Sequence, residues 1–218
     1  MFRPGRLLTL GILAFLVYAG FFAVPGNAPG PADFDPEAVA GHEAAAWQAA
    51  MVREEFSVFV SCVLYQRELH RMSWFRAFES GMALSKAVSQ VPHMTSRFER
   101  VMPQLEEVAE VERTWKGAEF DPVAVARFQT NWILMTRNSQ QANNAQRAIS
   151  EMAEELGLRF GLSSGYMQAV AADRAGAFRS VLARDASPDW PQVTRQLTRS
   201  YTTLKTTLAR AADARPGL

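Results

Sequence analysis

The chain opens Met1-Phe2-Arg3-Pro4-Gly5-Arg6 and then carries no charge from Leu7 to Val24. As a helix, a run of that length rises about 27 Å, close to the roughly 30 Å of a bilayer's hydrocarbon. Two arginines precede it and acidic residues follow it, so the positive flank is expected to stay in the cytoplasm. Residues 7–24 therefore read as a transmembrane anchor whose partner is membrane lipid, behind a basic stub at 1–6. The other fate is a cleaved signal, for which Gly26-Asn27-Ala28 supplies a small-residue site. The length favours the anchor, because a signal's apolar region usually spans only about 7–15 residues. A Pro/Gly linker fills 25–34, and residues 35–212 form the expected domain, with a tail at 213–218. The expected setting is a bacterial inner membrane, single-pass, with the domain in the periplasm. Cleavage would leave it soluble in the same compartment.

No later stretch repeats that length. The run Phe56 to Tyr65 is bounded by Glu54, Glu55 and Arg67. About 190 residues then remain for one domain with a sizeable core. The chain's 23 Lys+Arg face 22 Asp+Glu, and they are scattered, so long-range attraction to nucleic acid has no basis. Cys62 is the one cysteine. It excludes an internal disulfide and a Cys-x-x-Cys-His haem attachment, and its apolar neighbours suggest a buried thiol.

Helix signals recur and no strand alternation follows residue 30. Phe34-Asp35-Pro36-Glu37-Ala38-Val39 offers an aspartate N-cap, a proline at the first helical position and an apolar staple. Phe120-Asp121-Pro122-Val123-Ala124-Val125 repeats the device. The similarity fades after each copy, which favours convergent capping over duplication. The expected fold is all-α: an N-terminal transmembrane helix, then an antiparallel bundle of about five helices, the first and third long.

The first is read from Pro36 to about Gln90, with Met51, Val58, Cys62, Tyr65, Leu69 and Met72 inward and Phe56, Phe59, Val60 and Val63 widening the apolar face. Glu79-Ser80-Gly81 is its expected kink. The second spans Pro92 to Lys116, with Glu106, Glu107, Glu110 and Glu112 outward. The third runs from Asp121 to Leu156 and stops at Gly157. A fourth begins at Ser163 or Ser164, and a fifth carries Val193, Leu197, Tyr201, Leu204 and Leu208 inward.

Signatures of chemistry are missing. A di-iron carboxylate bundle needs Glu-x-x-His pairs, which put two ligands on one helical face, and none occurs. Nor is there a nucleophile elbow, Ser-x-x-Lys, phosphate loop or dinucleotide fingerprint. The expectation is a noncatalytic protein with no cofactor. His70, near Tyr65, Trp74 and Phe75, is the first candidate for a metal or noncovalent haem, and His93 the second. The amide-rich stretch of the third helix makes Asn131, Asn138 and Gln146 candidates for lining a ligand cavity. Arg71, Trp74, Phe75 and Phe78 have the aromatic-plus-arginine composition of an interface anchor. An accessory, scaffold or assembly subunit of a membrane complex, with a protein partner, is the leading reading. A periplasmic sensory or ligand-binding bundle is the alternative, and a haem, pigment or metal binder the third.

Overall fold

The computed structural model describes residues 30, 32–141, 143–182 and 187–214. Its described secondary structure is helical, with eight α-helices and no strand. They are α1 (Pro36–Met51), α2 (Glu55–His70), α3 (Trp74–Gln90), α4 (Met102–Lys116), α5 (Pro122–Arg137), α6 (Asn144–Phe160), α7 (Ser164–Leu182) and α8 (Trp190–Asp213). Two single 3₁₀ turns, Val91–His93 and Phe98–Val101, join α3 to α4. None of the described helices is long and apolar enough to cross a membrane. The anchor expected at residues 7–24 lies outside the described residues.

Both aspartate caps form as the sequence indicates. The Asp35 and Asp121 carboxylates accept from the backbone N–H of Glu37 and Val123, each at 3.0 Å, ahead of a first-turn proline. The long helices, however, are divided. The expected helix 36–90 is three helices, and its breaks need neither glycine nor proline. After α1 the chain turns through Arg53 at φ 61°, with the Glu54 N–H reaching back to the Ala49 carbonyl. After α2 it turns through Arg71 at φ 51°, and Ser73 then caps α3 by accepting from the Arg76 N–H. Gly81 is no kink; it lies inside α3.

The expected helix 121–156 is also two helices. Its amide-rich middle turns at residues 138–141 and at Asn143, which adopts φ 66°. Short amide side chains tolerate that left-handed conformation and compete for backbone hydrogen bonds, so they favour turns over helix interiors. α6 runs past Gly157 to Phe160 and ends where Gly161 adopts φ 64° and the Leu162 N–H bonds the Gly157 carbonyl at 3.0 Å. This is the Schellman ending that glycine makes cheap.

Each helix packs on the next in sequence, and α8 packs back on α1, which closes the eight into a ring. The neighbour pattern repeats after four helices: α1 also touches α3, and α5 also touches α7. The two FDPxAV caps open α1 and α5, the equivalent helices of the two halves. Small residues let the helices approach closely. Alanines at 40, 44, 46, 49 and 50 of α1 and at 83 and 87 of α3 are buried.

α2 and α3 approach closely at Gly81, where a Cβ would lie 2.6 Å from a Val63 methyl carbon and 2.7 Å from its Cα. Alanine favours a helix interior by about 1 kcal/mol over glycine, but a backbone collision cannot relax by rotamer change. Gly81→Ala should therefore destabilise the domain by about 1–3 kcal/mol, read as a lower urea midpoint. An unchanged or higher midpoint would mean that α2 and α3 can separate freely.

Candidate functional site: a buried ionic core and an exposed aromatic face

All eight helices contribute side chains to a central cavity of about 50 Å³. It is bordered by two buried polar clusters. In the first, Arg174 of α7 bridges Glu43 of α1 and the Tyr201 hydroxyl of α8. The Tyr201 hydroxyl also donates to Glu43 at 2.7 Å and lies 3.1 Å from that of Tyr65 on α2. In the second, Arg159 of α6 pairs with Glu112 of α4 and Glu155 of its own helix, and donates to Gln129 of α5 at 2.9 Å. Glu155 in turn accepts from the Trp132 indole at 2.6 Å.

Each residue type here answers a physical demand. A carboxylate taken out of water must be paired and hydrogen-bonded, and a guanidinium can serve several acceptors in one plane. Burial raises the Glu43 carboxyl, against the pull of Arg174 and the Tyr201 hydroxyl. Burial also pushes up the Glu112 carboxyl, but Arg159 and His70 outweigh it and hold Glu112 well below the usual carboxylate range. Burial pushes the Tyr65 hydroxyl to about 12. The Cys62 thiol is likewise pushed up by burial, and Cys62 is a free, buried cysteine as its apolar neighbours suggested.

His70 sits at the end of α2 with its side chain almost fully enclosed. Nε2 lies 3.2 Å from Glu112 Oε1, too poorly aligned for a hydrogen bond, and Nδ1 has no partner. Burial, helped by the Lys116 ammonium, drives its pKa down to about 4 despite Glu112. Lys116 stacks 4.4 Å from the centre of the Phe160 ring and is itself pushed by burial to about 8. Gln66 Oε1 also faces the cavity unpartnered. Two acceptors in a space of this size suit a few water molecules, each needing on the order of 10–15 Å³, and not an organic ligand.

The outer surface differs in kind. Phe56 and Val60 on α2 and Trp74, Phe75, Phe78 and Met82 on α3 are exposed, Phe56 by 79%. Phe59 bridges the helices, its ring edge-on to Phe78 at 5.3 Å. Arginines border the face. Arg67 stacks 4.2 Å over Trp74, and Arg76 lies over Phe75 while pairing with Glu79.

No known protein family, curated protein or solved structure matches this chain.

Several sequence expectations meet this geometry. Trp74, Phe75 and Phe78 share the exposed face, with Arg71 at its edge held by Glu68. Phe56 and Val60, expected to widen an inward face, point outward. Asn131, Asn138 and Gln146 do not line the central cavity. Asn131 donates to Glu151, Asn138 ends α5, and Gln146 is exposed in the first turn of α6. His70 lines the cavity, whereas His93 Nε2 donates to the Ala50 carbonyl near the other end of α2. Among the described residues no three His, Cys, Asp or Glu side chains are placed to hold a metal ion.

Glu112, expected on an outer acidic face, is fully buried. Its position seven residues after Leu105 and four after Val108 is the periodic signal that could have found it. Glu43, Arg159 and Arg174 carried no comparable motif, because their partners come from distant helices.

Two stability outcomes follow from the buried charges. Arg174→Met strands Glu43 and should cost about 3–5 kcal/mol, whereas Glu43→Gln combined with Arg174→Met should cost clearly less than the two single losses together. Additive losses in denaturant titrations would show that the pair is not coupled. His70 binds its proton less well folded than unfolded, so below its unfolded pKa of about 6.5 the unfolded state takes up more protons. Its contribution is lost as pH falls from about 6.5 to 4, amounting to about 3 kcal/mol. Glu112 acts in the same direction at lower pH and Glu43 in the opposite one. Replacing His70 with Gln should flatten the rise of the urea midpoint between pH 4.5 and 6.5; an unaltered slope would remove His70 as its source.

Proposed function

We propose that this chain is a noncatalytic, membrane-tethered periplasmic module that docks on an integral membrane protein, acting as an accessory or assembly subunit of its complex. The supporting observation is the exposed aromatic face of α2 and α3. Large apolar side chains are ordinarily dispersed on a monomer's surface, and a contiguous group rimmed by polar residues marks an interaction site. Here Phe56, Val60, Trp74, Phe75, Phe78 and Met82 lie on two adjacent helices, while the core beneath is built largely from alanine, valine and leucine.

The occupant that fits is an apolar helix of a membrane-embedded partner. Its identity is argued from where the domain joins the N-terminal segment. The Asp35 N–H donates to Glu68 at 2.9 Å, and Glu68 also holds Arg71, so the chain enters the domain beside the α2–α3 turn. Trp74 and Phe75 open α3 at that same corner. A tether at residues 7–24 would hold the aromatic corner close to the bilayer, where helices of other membrane proteins are within reach. Trp74 and Phe75 supply rigid contact area, and Arg67 and Arg76 supply the polar rim of an interface.

The core's carboxylates and guanidiniums are matched to one another around a small cavity, and they stabilise the ring.

The test uses the full-length chain in native membranes. A photo-crosslinking residue at Phe75 or Met82 should attach to an integral membrane protein, whereas one at Thr202, exposed on α8, should not. Phe56→Ser, Phe75→Ser and Met82→Gln together should abolish that cross-link, with each exposed substitution changing stability by about 0.5 kcal/mol or less. Cross-links only to lipid, only to a second copy of the chain, or equally from both faces would overturn the proposal.

A further inference from the structure

At the opposite end of α2 lies an open groove of about 630 Å³, lined by Arg53, Arg97 and Arg100 together with Ser89, Thr95 and Ser96. Glu55 is the one carboxylate among its lining residues, and His93 forms part of its wall. None of the three arginines makes a salt bridge among the described residues. The arginines at 71, 76, 113, 159 and 174 each hold a carboxylate; what distinguishes these three from other exposed arginines is that they border one concavity.

The groove is built from two turns that are fastened together. The Ala50 carbonyl accepts from the Arg53 N–H at 3.2 Å and lies 2.9 Å from His93 Nε2, which ties the end of α1 to the segment after α3. On its other side that segment is held by Arg137, whose guanidinium donates to the Val91 and Pro92 carbonyls. Phe98 and Val101 anchor it further by burial. Arg53 and Arg97 both adopt φ 61°, a left-handed conformation that costs a side-chain-bearing residue and that glycine would meet freely. Three exposed arginines thus rise from anchored backbone around one concavity, against a single lining carboxylate and beside hydroxyls able to donate.

We propose that this groove binds a phosphate-bearing anion. A phosphate offers three or more acceptor oxygens in a tetrahedral array, and guanidiniums meet these with paired, charge-assisted hydrogen bonds. Ser89, Thr95 and Ser96 supply neutral donors for the remaining oxygens. Apolar ligands find nothing here, since Met94 is the one apolar side chain in the lining. The length of α2 separates the groove from Trp74 and Phe75, and of the aromatic face only Phe56, next to Glu55, lies near it; the groove's arginines and hydroxyls take no part in that face, so either can fail without the other.

The same chemistry could be presented by a soluble phosphate compound or by a phospholipid headgroup, and the experiment separates them. Full-length protein in zwitterionic nanodiscs is titrated calorimetrically with sodium pyrophosphate, and the same nanodiscs are then tested for co-flotation with vesicles of phosphatidylglycerol and phosphatidylcholine against phosphatidylcholine alone. Saturable pyrophosphate binding assigns a soluble ligand; binding confined to the anionic vesicles assigns a headgroup. Either must weaken about tenfold or more in Arg53→Gln/Arg100→Gln, the loss expected when charge-assisted contacts are removed. An unshifted melting temperature in the double variant shows that the fold is retained. If neither probe binds, or if binding survives the double substitution, or if a pair of control substitutions at Arg195 and Arg199 weakens it equally, the proposal is wrong.

Discussion

The ring closes because a charge on the seventh helix is satisfied only by groups on the first and the eighth. Arg174 reaches Glu43 and Tyr201 across 131 and 27 residues of sequence, and Tyr201 itself bonds Glu43. None of the three can sit in a dry interior alone, because an unpaired buried charge costs several kcal/mol. The contact therefore penalises any arrangement in which α8 fails to return to α1. Apolar packing by itself tolerates sliding and rotation of helices, whereas a guanidinium between a carboxylate and a phenol fixes depth and azimuth together. Arg159 does the same for α4, α5 and α6. The two clusters leave α3 as the helix least engaged by buried charge, and α3 carries most of the exposed aromatic face.

How far the sequence discloses this fold depends on the range of each interaction. Asp35 and Asp121 announce their helices because a cap is satisfied within two residues of itself. The inward sets of α2 and α8 are legible for the same reason, since their period is local. The turns at Arg53 and Arg71 are not, because arginine has no preference for the left-handed region and only tertiary packing holds it there. The turn after α5 has a local signal in its amides and serine, but the apolar period continuing across it reads as one helix, and the turn is missed. Eight helices of 15–24 residues thus looked like about five.

The site was readable in a different proportion. Trp74, Phe75 and Phe78 stood out by composition, yet composition does not say whether three aromatics lie inside or outside. The approach of Gly81 to Val63 decides it: α2 and α3 are drawn together there, Phe59 and Phe78 meet edge-on between them, and Trp74, Phe75 and Phe78 are left partly open to solvent. The buried charges were hidden by their ordinary appearance. Glu112 follows Glu106, Glu107 and Glu110 in a run that looks solvated, and its burial depends on Arg159, which lies 47 residues on.

Closing helices into a ring also gives the molecule two ends with different chemistry. The sixteen residues of α2 span about 24 Å, with Asp35 and Trp74 at one end and the Arg53 turn at the other. The membrane-facing end proposed here is aromatic, with arginines stacked on its rings; the far end is polar, with arginines that engage neither a ring nor the one carboxylate beside them. Arginine thus serves three purposes along one short axis: rim of an apolar face, rigid strut in the core, and open charge at the distal groove. What separates these roles is the partner each guanidinium is given, a π-face, a buried carboxylate or none, and that assignment is made by the ring's closure and not by the residue type.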